Sequence, residues 1–434
     1  MEYLDQKNLK GKYTPIIFFE IYLTFTVLLF IFGPWDWGIE NPMILYLYLI
    51  GAQLFLFTGY KSGLINYKLK KESEIPKRFI EISILMNVAI SIPLIYIRSG
   101  GNYSFVFLGF TNPGLVYDLS RDANLPYNIT DYINIIISPI TWPLIPWMTY
   151  YWKSLSKKIK IAGIIGIFMG TVLPYVASGT NKGLFDILFI LIGLVLLPYL
   201  ANLHNLKDLI NLKSLKFVTV LLTIFVILSI YFANNIEQRL GSENYLEKIA
   251  VNSRADNAKV SDKFMESGLD PNIQGAIIAL TSYISQGYYG CSLALKEDFV
   301  PTYGLGFSRF LSWLIGDLVL EKDFQKNTYP RRVSNKTFWD ADIVWSSIYP
   351  WFASDVTFLG TYIIIFLIGR LLAKSWISMI KFSDPWAITI FSLLCILLFY
   401  FSANNQIFQT GPTFVTFFVA LIFWQINFKF RIKK

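Results

Sequence analysis

The chain has 434 residues, of which 54% are apolar, 17% aromatic and 15% charged. Soluble domains carry roughly 25% charged residues, so this composition excludes a disordered chain, a basic nucleic-acid-binding domain and most soluble enzymes. Apolar runs recur along the whole chain, each long enough to cross a hydrocarbon core of about 30 Å. The net charge of +9 comes from basic residues placed as topology signals, not as a nucleic-acid surface. An all-α polytopic membrane protein is predicted.

Few residues suit metal or redox chemistry. Two cysteines, Cys291 and Cys395, are too few for a disulfide framework or a metal cluster. The single histidine, His204, removes most histidine-based metal and acid–base sites. The N-terminus is polar and lysine-bearing before the first apolar run, which predicts a retained helix rather than a cleaved signal peptide.

In chain order, ten transmembrane helices are predicted, and they divide the chain into three parts. Residues 1–233 carry helices one to seven, 234–352 form one large extracytoplasmic loop that contains helices, and 353–434 carry helices eight to ten. The predicted spans are 14–33, 41–60, 79–97, 133–152, 161–178, 184–203, 215–233, 353–373, 385–402 and 411–428.

Charge counting orients these spans. The segments on the side of the two termini carry 22 lysines and arginines, whereas the short loops on the other side carry Arg98, Arg121 and Lys182. Since short basic loops stay in the cytoplasm, both termini are predicted to be cytoplasmic.

Two regions depart from regular spans. The fourth span holds Pro139, Pro143 and Pro146, which should kink it and free backbone carbonyls; kinked helices line cavities, but plain packing is the alternative. Within the large loop, 275–295 and 304–320 are semi-apolar and predict re-entrant or interfacial helices. If both crossed, there would be twelve spans, and the orientation of the ends would not change.

Arginine is unevenly distributed between the two sides. Of the 22 basic residues on the predicted cytoplasmic side, two are arginines, against seven of 15 on the outer side. Topology needs charge of either kind, but only the planar guanidinium grips phosphate or carboxylate with two parallel bonds. The bias favours an anionic ligand, and pairing with the 14 Asp and Glu residues of the large loop is the alternative. The outer arginines are Arg98, Arg121, Arg239, Arg254, Arg309, Arg331 and Arg332.

Cations and aromatic residues together suggest a lipid-linked glycan. Arg331 and Arg332 lie near aromatic residues that could stack on a sugar ring beside a phosphate. We interpret the diphosphate-binding set as Arg331, Arg332, Arg309, Lys182 and Arg254, and the sugar-stacking set as Tyr329, Trp339, Trp345, Tyr349 and Tyr288. Alternatives are a Lys182–Asp186 ion pair and headgroup binding by Arg309. Arg98 and Arg121 are expected to anchor the rim, and binding of a second diphosphate is their alternative.

Glycosyl transfer from such a lipid needs cations for the leaving diphosphate and a carboxylate for the proton of the attacking hydroxyl. Asp355, Asp342 and Asp340 are the candidate bases, and an acid at the start of the eighth span is the alternative for Asp355. No paired-aspartate metal motif stands out, so a reaction without metal or cofactor is expected.

The segment Trp345–x3–Tyr349–x5–Asp355–x4–Gly360 resembles the end of the large outer loop in bacterial O-antigen and capsule polymerases of the Wzy type. TSYISQGYYGCSLAL resembles an earlier stretch of that loop, and SGTNKGLFD resembles their Ser-Gly-x-Arg turn, with Lys182 where they usually have arginine. The resemblance implies block transfer of glycan from undecaprenyl diphosphate onto a lipid-linked repeat unit, outside the bacterial cytoplasmic membrane. It also implies a partner flippase and a chain-length regulator.

Other functions fit part of this pattern. A flippase of lipid-linked glycan would use the same vestibule without chemistry, but it should carry charges through its bundle and short loops on both sides. An O-antigen ligase would share the chemistry and differ in its acceptor. A membrane acyltransferase would usually need a histidine, and His204 lies on the predicted cytoplasmic side.

Overall fold

The structure is a computed structural model that describes residues 11–64, 73–123, 128–202, 212–241, 245–251 and 258–432. These residues form an all-α protein with one antiparallel pair of two-residue strands, β1 (Trp35–Asp36) and β2 (Lys259–Val260). Six of its helices are long and apolar enough to cross a membrane. The prediction of an all-α membrane protein is therefore confirmed.

The helices are numbered in chain order. The first nine are α1 (Thr14–Phe32), α2 (Pro42–Gly63), α3 (Lys77–Arg98), α4 (Phe105–Thr111), α5 (Pro113–Asp122), α6 (Ile129–Thr141), α7 (Leu144–Tyr151), α8 (Lys157–Val176) and α9 (Lys182–Ala201). The others are α10 (Leu212–Leu240), α11 (Tyr245–Ile249), α12 (Asp262–Met265), α13 (Pro271–Ala294), α14 (Arg309–Leu311), α15 (Tyr329–Lys336), α16 (Tyr349–Phe382), α17 (Pro385–Phe399) and α18 (Gly411–Ile432).

The six candidate spans are α1, α2, α3, α8, α9 and α16, and each overlaps a predicted span. The ninth and tenth predicted spans coincide with the shorter apolar helix α17 and the apolar part of α18. The seventh lies within α10, which continues to Leu240 and so crosses the predicted start of the large loop. The total of ten spans stays a prediction.

The fourth predicted span is broken into α6 and α7 at its central proline. Two carbonyls at the end of α6 accept side-chain hydrogen bonds from α3: Ser83 Oγ donates to Ile140 O at 2.6 Å, and Asn87 Nδ2 donates to Thr141 O at 3.0 Å. An unpaired carbonyl inside a membrane costs several kcal/mol, on the order of a lost hydrogen bond. The predicted break is present, and α3 supplies donors to two carbonyls beside it.

The semi-apolar segments of the large loop fold differently from each other. The first is α13, which is buried along much of its length and contacts α1, α10 and α15. The second contains α14, which continues into a π-helical turn at Ser312–Asp317. Within the described ranges neither segment meets the length and hydropathy of a membrane span.

Helices α2 and α16 pack with their backbones in close contact. A Cβ atom at Gly59 would lie 2.0 Å from Phe366 O, and one at Gly369 would lie 2.2 Å from Leu56 O. Small residues at a membrane helix crossing allow this approach, because they have no side chain that would hold the backbones apart. Close packing matters there, since apolar side chains gain little by leaving lipid for another helix. This contact holds α16, which carries the large loop's return to the bundle, against the N-terminal helices.

We therefore expect Gly369→Ala to lower the midpoint of thermal unfolding in detergent, because its methyl group would overlap the backbone of α2. Gly166→Ala is the matched control: its Cβ would come closest to the movable end of the Leu144 side chain, at 3.3 Å from Cδ2, and would lie 3.5 Å from the backbone of Ile84. In a helix Ala is favoured over Gly by about 1 kcal/mol. A midpoint for Gly369→Ala equal to or above that of Gly166→Ala would contradict this packing.

Candidate functional site

A cavity of about 660 Å³ opens between α3, α6, α8 and α9. Helix α5 and the segment 410–413 complete its wall, and the cavity begins at the end of the bundle where α3 terminates in Arg98. We call this end the loop end, and charge counting predicts that it faces outward. The cavity extends along α3 to Asn87, eleven residues earlier, which at about 1.5 Å per residue is roughly 16 Å of helix. It is long enough to hold several sugar or phosphate groups.

Cationic side chains line the mouth of this cavity. Arg98 ends α3 and Arg121 lies in the last turn of α5, and both side chains are exposed. Arg121 Nη1 donates to Tyr117 Oη at 3.4 Å, and within the described part of the chain neither arginine forms an ion pair. Both guanidinium groups are therefore open to an anionic ligand.

The predicted diphosphate ligand Lys182 also lines the cavity, one turn from Asp186 on α9. Its Nζ lies 2.5 Å from Asp186 Oδ2, and the two side chains are only 21% and 13% exposed. The ion pair that the sequence offered as the alternative is therefore present. It neutralises Lys182 and leaves the unpaired positive charge at the mouth to the two arginines.

Below the cations the lining combines apolar side chains with neutral polar ones, and Asp131 and Asp186 also belong to the wall. Asn134, Ser138 and Thr141 from α6 face it together with Thr171 from α8. These hydroxyl and amide groups can form hydrogen bonds with a ligand rich in hydroxyls. The broken span thus lines a cavity, the first of the two interpretations of its prolines.

The SGTNKGLFD turn forms part of this wall and is held from behind by α10. Gly179 has φ +61°, and a Cβ there would lie 2.1 Å from Pro113 O, so the turn requires glycine. Its carbonyl accepts hydrogen bonds from Asn235 Nδ2 at 2.7 Å and Arg239 Nη2 at 3.2 Å. Arg239 also lies over the Tyr117 ring at 3.4 Å. That outer arginine therefore has a structural role.

Three residues near the mouth form what we call the rim cluster: Arg309, Arg331 and Asp342. Arg331 makes two hydrogen bonds to the Asp342 carboxylate, one of them Nη2 to Oδ1 at 2.8 Å, and Arg309 Nη1 lies 3.3 Å from Oδ1. Arg309 N donates to Gln409 Oε1 at 3.2 Å, next to the cavity wall. Partial burial favours the neutral acid, but the hydrogen bond from Arg331 and the charges of Arg309, Arg331 and Arg121 outweigh it and lower the pKa of Asp342.

The remaining predicted phosphate ligands lie elsewhere. Arg332 donates to Glu297 Oε2 at 2.8 Å and to Asp298 O, and Lys336 shares Glu297 at 2.8 Å. The alternative of pairing with loop carboxylates thus describes Arg332, Arg331 and Arg309. Arg254 lies outside the described residues.

The predicted base Asp355 has both carboxylate oxygens occupied. Oδ1 accepts from Gly304 N at 2.8 Å, from Gly306 N at 3.0 Å and from the Thr302 hydroxyl, and Oδ2 accepts from Phe307 N at 2.8 Å. The residue anchors the loop before α14 and lies two residues before a break in α16 at Thr357, where φ is +68°. Where the helix resumes, Thr357 Oγ1 accepts from Gly360 N at 3.3 Å, so Thr357 supplies the capping hydrogen bond that the sequence offered to Asp355. Asp340 Oδ1 accepts from Asp342 N at 2.8 Å, a local turn contact. Geometry supports structural roles for both.

Four of the five predicted sugar-stacking rings are buried: Tyr329, Trp339, Tyr349 and Tyr288. Trp339 donates its indole N–H to Ser346 Oγ at 3.2 Å, and Tyr288 Oη lies 2.8 Å from Thr26 Oγ1. Trp345 is partly buried between Tyr283 and Tyr400. Protein atoms cover these ring faces, so packing is the role that the geometry supports.

Comparison with known proteins gives no relative: no family model matches the chain, and no curated protein or solved structure does. Among the residues that the structure describes, no group of three His, Cys, Asp or Glu side chains lies together as a metal site would require. The candidate site is therefore identified from its geometry, because no relative supplies site residues. Sequence reasoning missed Asn87, Asn134 and Thr171, and the prolines of the fourth span were the signal that could have led to them.

Removing the Asp355 carboxylate should release the loop before α14. In Asp355→Ala the amides of Gly304, Gly306 and Phe307 lose a charged acceptor worth about 1.5–3 kcal/mol, and their hydrogen exchange should accelerate by roughly 10-fold or more. Mass-spectrometric hydrogen exchange of residues 300–308 measures this, with α17 as the internal reference. Unchanged exchange in Asp355→Ala would show that the carboxylate does not hold the loop.

Proposed function

We propose that this protein is a polysaccharide polymerase that transfers a growing glycan from undecaprenyl diphosphate to a lipid-linked oligosaccharide repeat unit. The proposal places the reaction at the outer face of the bacterial cytoplasmic membrane, with both termini in the cytoplasm. The single observation that carries it is the layered cavity, with two unpaired arginines at its mouth and neutral polar groups below. This order matches a diphosphate next to a sugar.

The chemistry follows from that order. A hydroxyl of the acceptor sugar attacks the anomeric carbon of the donor, the bond from that carbon to the diphosphate oxygen breaks, and undecaprenyl diphosphate leaves. Arg98 and Arg121 would stabilise the charge that develops on the leaving oxygen, and in many enzymes such stabilisation lowers the barrier more than any other effect. A flippase would supply the substrate, and a chain-length regulator would act on the product.

A flippase is the second candidate, and the depth of the cavity favours it. Neutral polar groups continue to Asn87 near the middle of α3, as a translocation path for sugars would require. On the candidate spans, the described cavity wall carries charged residues only near helix ends. They are Lys182 and Asp186 on α9 and Arg98 on α3. An O-antigen ligase would use the same cavity and differ only in its acceptor.

Reconstitution with a lipid-linked repeat unit separates these functions. A polymerase should produce a ladder of longer lipid-linked glycans on a gel without any partner protein. Movement of the repeat unit to the opposite leaflet without new bonds would instead identify a transporter. Transfer only to an added lipid A core would identify a ligase.

We expect the double variant Arg98→Ala/Arg121→Ala to lower kcat/KM for ladder formation about 100-fold or more, because each charged hydrogen bond contributes about 1.5–3 kcal/mol. Arg78→Ala is the matched control, since it removes an exposed arginine from the opposite end of the same helix α3. Protein abundance and melting temperature should match the wild type in both variants. Normal ladders from the double variant would exclude the cavity mouth as the diphosphate site.

A further inference from the structure

Trp142 lines the cavity at the break between α6 and α7. Its side chain is partly buried and packs against the core. No aromatic ring of the described residues stacks on it, and its indole N–H has no acceptor among them although protein does not enclose it. This ring therefore differs from the predicted sugar platforms, whose faces are covered by protein atoms.

Asn87 brings Trp142 close to a second side chain, Thr171 of α8. Asn87 Nδ2 donates at 3.0 Å to the carbonyl of Thr141, the residue before Trp142. A Cβ at Gly170, the residue before Thr171, would lie 2.4 Å from Asn87 Oδ1. Because Asn87 contacts both preceding residues, Trp142 and Thr171 line the cavity at the same depth, at its inner end.

The hydroxyl of Thr171 is available to a ligand. It lies in the π-helical turn Phe168–Val172 within α8. A threonine in an α-helix commonly donates to the carbonyl three or four residues earlier. Thr171 makes no such bond and has no other hydrogen-bond partner within the described part of the chain, yet its oxygen is not enclosed. Single π-helical turns occur frequently at functional sites.

Asn134 adds an amide nearer to the mouth of the cavity. It precedes Trp142 by eight residues, which is about 12 Å along α6, and it lines the same cavity. Ser138 and Thr141, which lie between them, donate to backbone carbonyls. Asn134 has no hydrogen-bond partner among the residues that the structure describes. Its amide therefore offers both a donor and an acceptor to a ligand.

These three side chains match the two kinds of surface that a sugar ring presents. A pyranose carries C–H groups on its faces, which pack on an aromatic ring, and hydroxyls at its edge, which need donors and acceptors. None of the three side chains is charged, so they do not favour a phosphate over a neutral ring. An isoprenoid chain could pack on the indole but would leave the amide and the hydroxyl without partners.

We propose that Trp142, Thr171 and Asn134 form a sugar-binding subsite of the cavity. The indole ring stacks on a pyranose of the lipid-linked repeat unit, and the hydroxyl and the amide form hydrogen bonds with its glycan. The inference rests on the proposed function for its ligand, a lipid-linked glycan with its diphosphate at Arg98 and Arg121. The subsite assigns recognition of the glycan to residues that do not contact the leaving group.

Binding to the full chain in nanodiscs tests the subsite without requiring turnover. The two probes are the lipid-linked repeat unit of the source bacterium and undecaprenyl diphosphate, which lacks the glycan. Trp142→Ala should raise Kd for the repeat unit about 10-fold and leave Kd for undecaprenyl diphosphate within about threefold. Trp142→Phe, which keeps an aromatic ring, should lie between Trp142→Ala and the wild type.

Thr171→Val replaces the hydroxyl by a methyl group of similar size, and it should raise Kd for the repeat unit by about 3- to 10-fold. Trp152→Ala is the matched control, because it removes an exposed tryptophan that follows α7 and does not line the cavity. Its Kd for both probes should equal that of the wild type. Melting temperatures separate a folding defect from a lost contact, and if Trp142→Ala does not fold, Trp142→Phe and Thr171→Val decide the test.

Equal affinity of Trp142→Ala and the wild type for the repeat unit would overturn the subsite. So would an equal loss of affinity for both probes, which would reveal a structural role, or wild-type affinity that does not depend on the glycan. If the wild type shows glycan-dependent binding that Trp142→Ala loses, but forms no ladder, the subsite stands and the polymerase proposal alone is overturned.

Discussion

A polar backbone group in a membrane must find a hydrogen-bond partner in protein or in water. In this bundle the constraint is clearest at the break in the fourth predicted span. The prolines of the fourth predicted span break it into α6 and α7, and Ser83 and Asn87 of α3 bind the carbonyls at the break. Asn134, Ser138 and Thr141 of α6 line the same cavity as residues of α8 and α9. The broken helix thus forms one wall of the cavity, and α3 satisfies its backbone at the break.

Charge pairing decides which part of the surface can bind an anion. In the large loop, Arg332 is bound to Glu297, and Arg309 and Arg331 share Asp342. An anion there must compete with a carboxylate that is already in place. Arg98 and Arg121 line the cavity without such partners in the described residues, so arginines are paired with carboxylates in the loop and unpaired at the cavity mouth. The function we propose depends on this difference.

Sequence patterns predicted the apolar helices well, because about 20 consecutive apolar residues have few alternatives to a membrane helix. The break in the fourth span was also predicted, since proline lacks a backbone donor. The site was predicted only in part: Lys182 and its ion pair with Asp186 line the cavity as the sequence allowed. Arg332 and Glu297, however, are 35 residues apart, and no local pattern distinguishes that paired arginine from Arg98. The buried aromatic rings were interpreted as sugar platforms for the same reason, because exposure depends on tertiary packing.

The proposed reaction requires that the cavity, and not the large loop, hold the diphosphate of a lipid-linked glycan. Photo-crosslinking can locate that group, with a lipid-linked repeat unit that carries a diazirine beside the diphosphate and mass spectrometry to identify the labelled residues. We expect labelling at the end of α3, in α5 and in the turn before α9, and its loss on competition with unlabelled lipid-linked repeat unit. Specific labelling confined to residues 329–342, with the cavity unlabelled, would contradict this placement of the diphosphate.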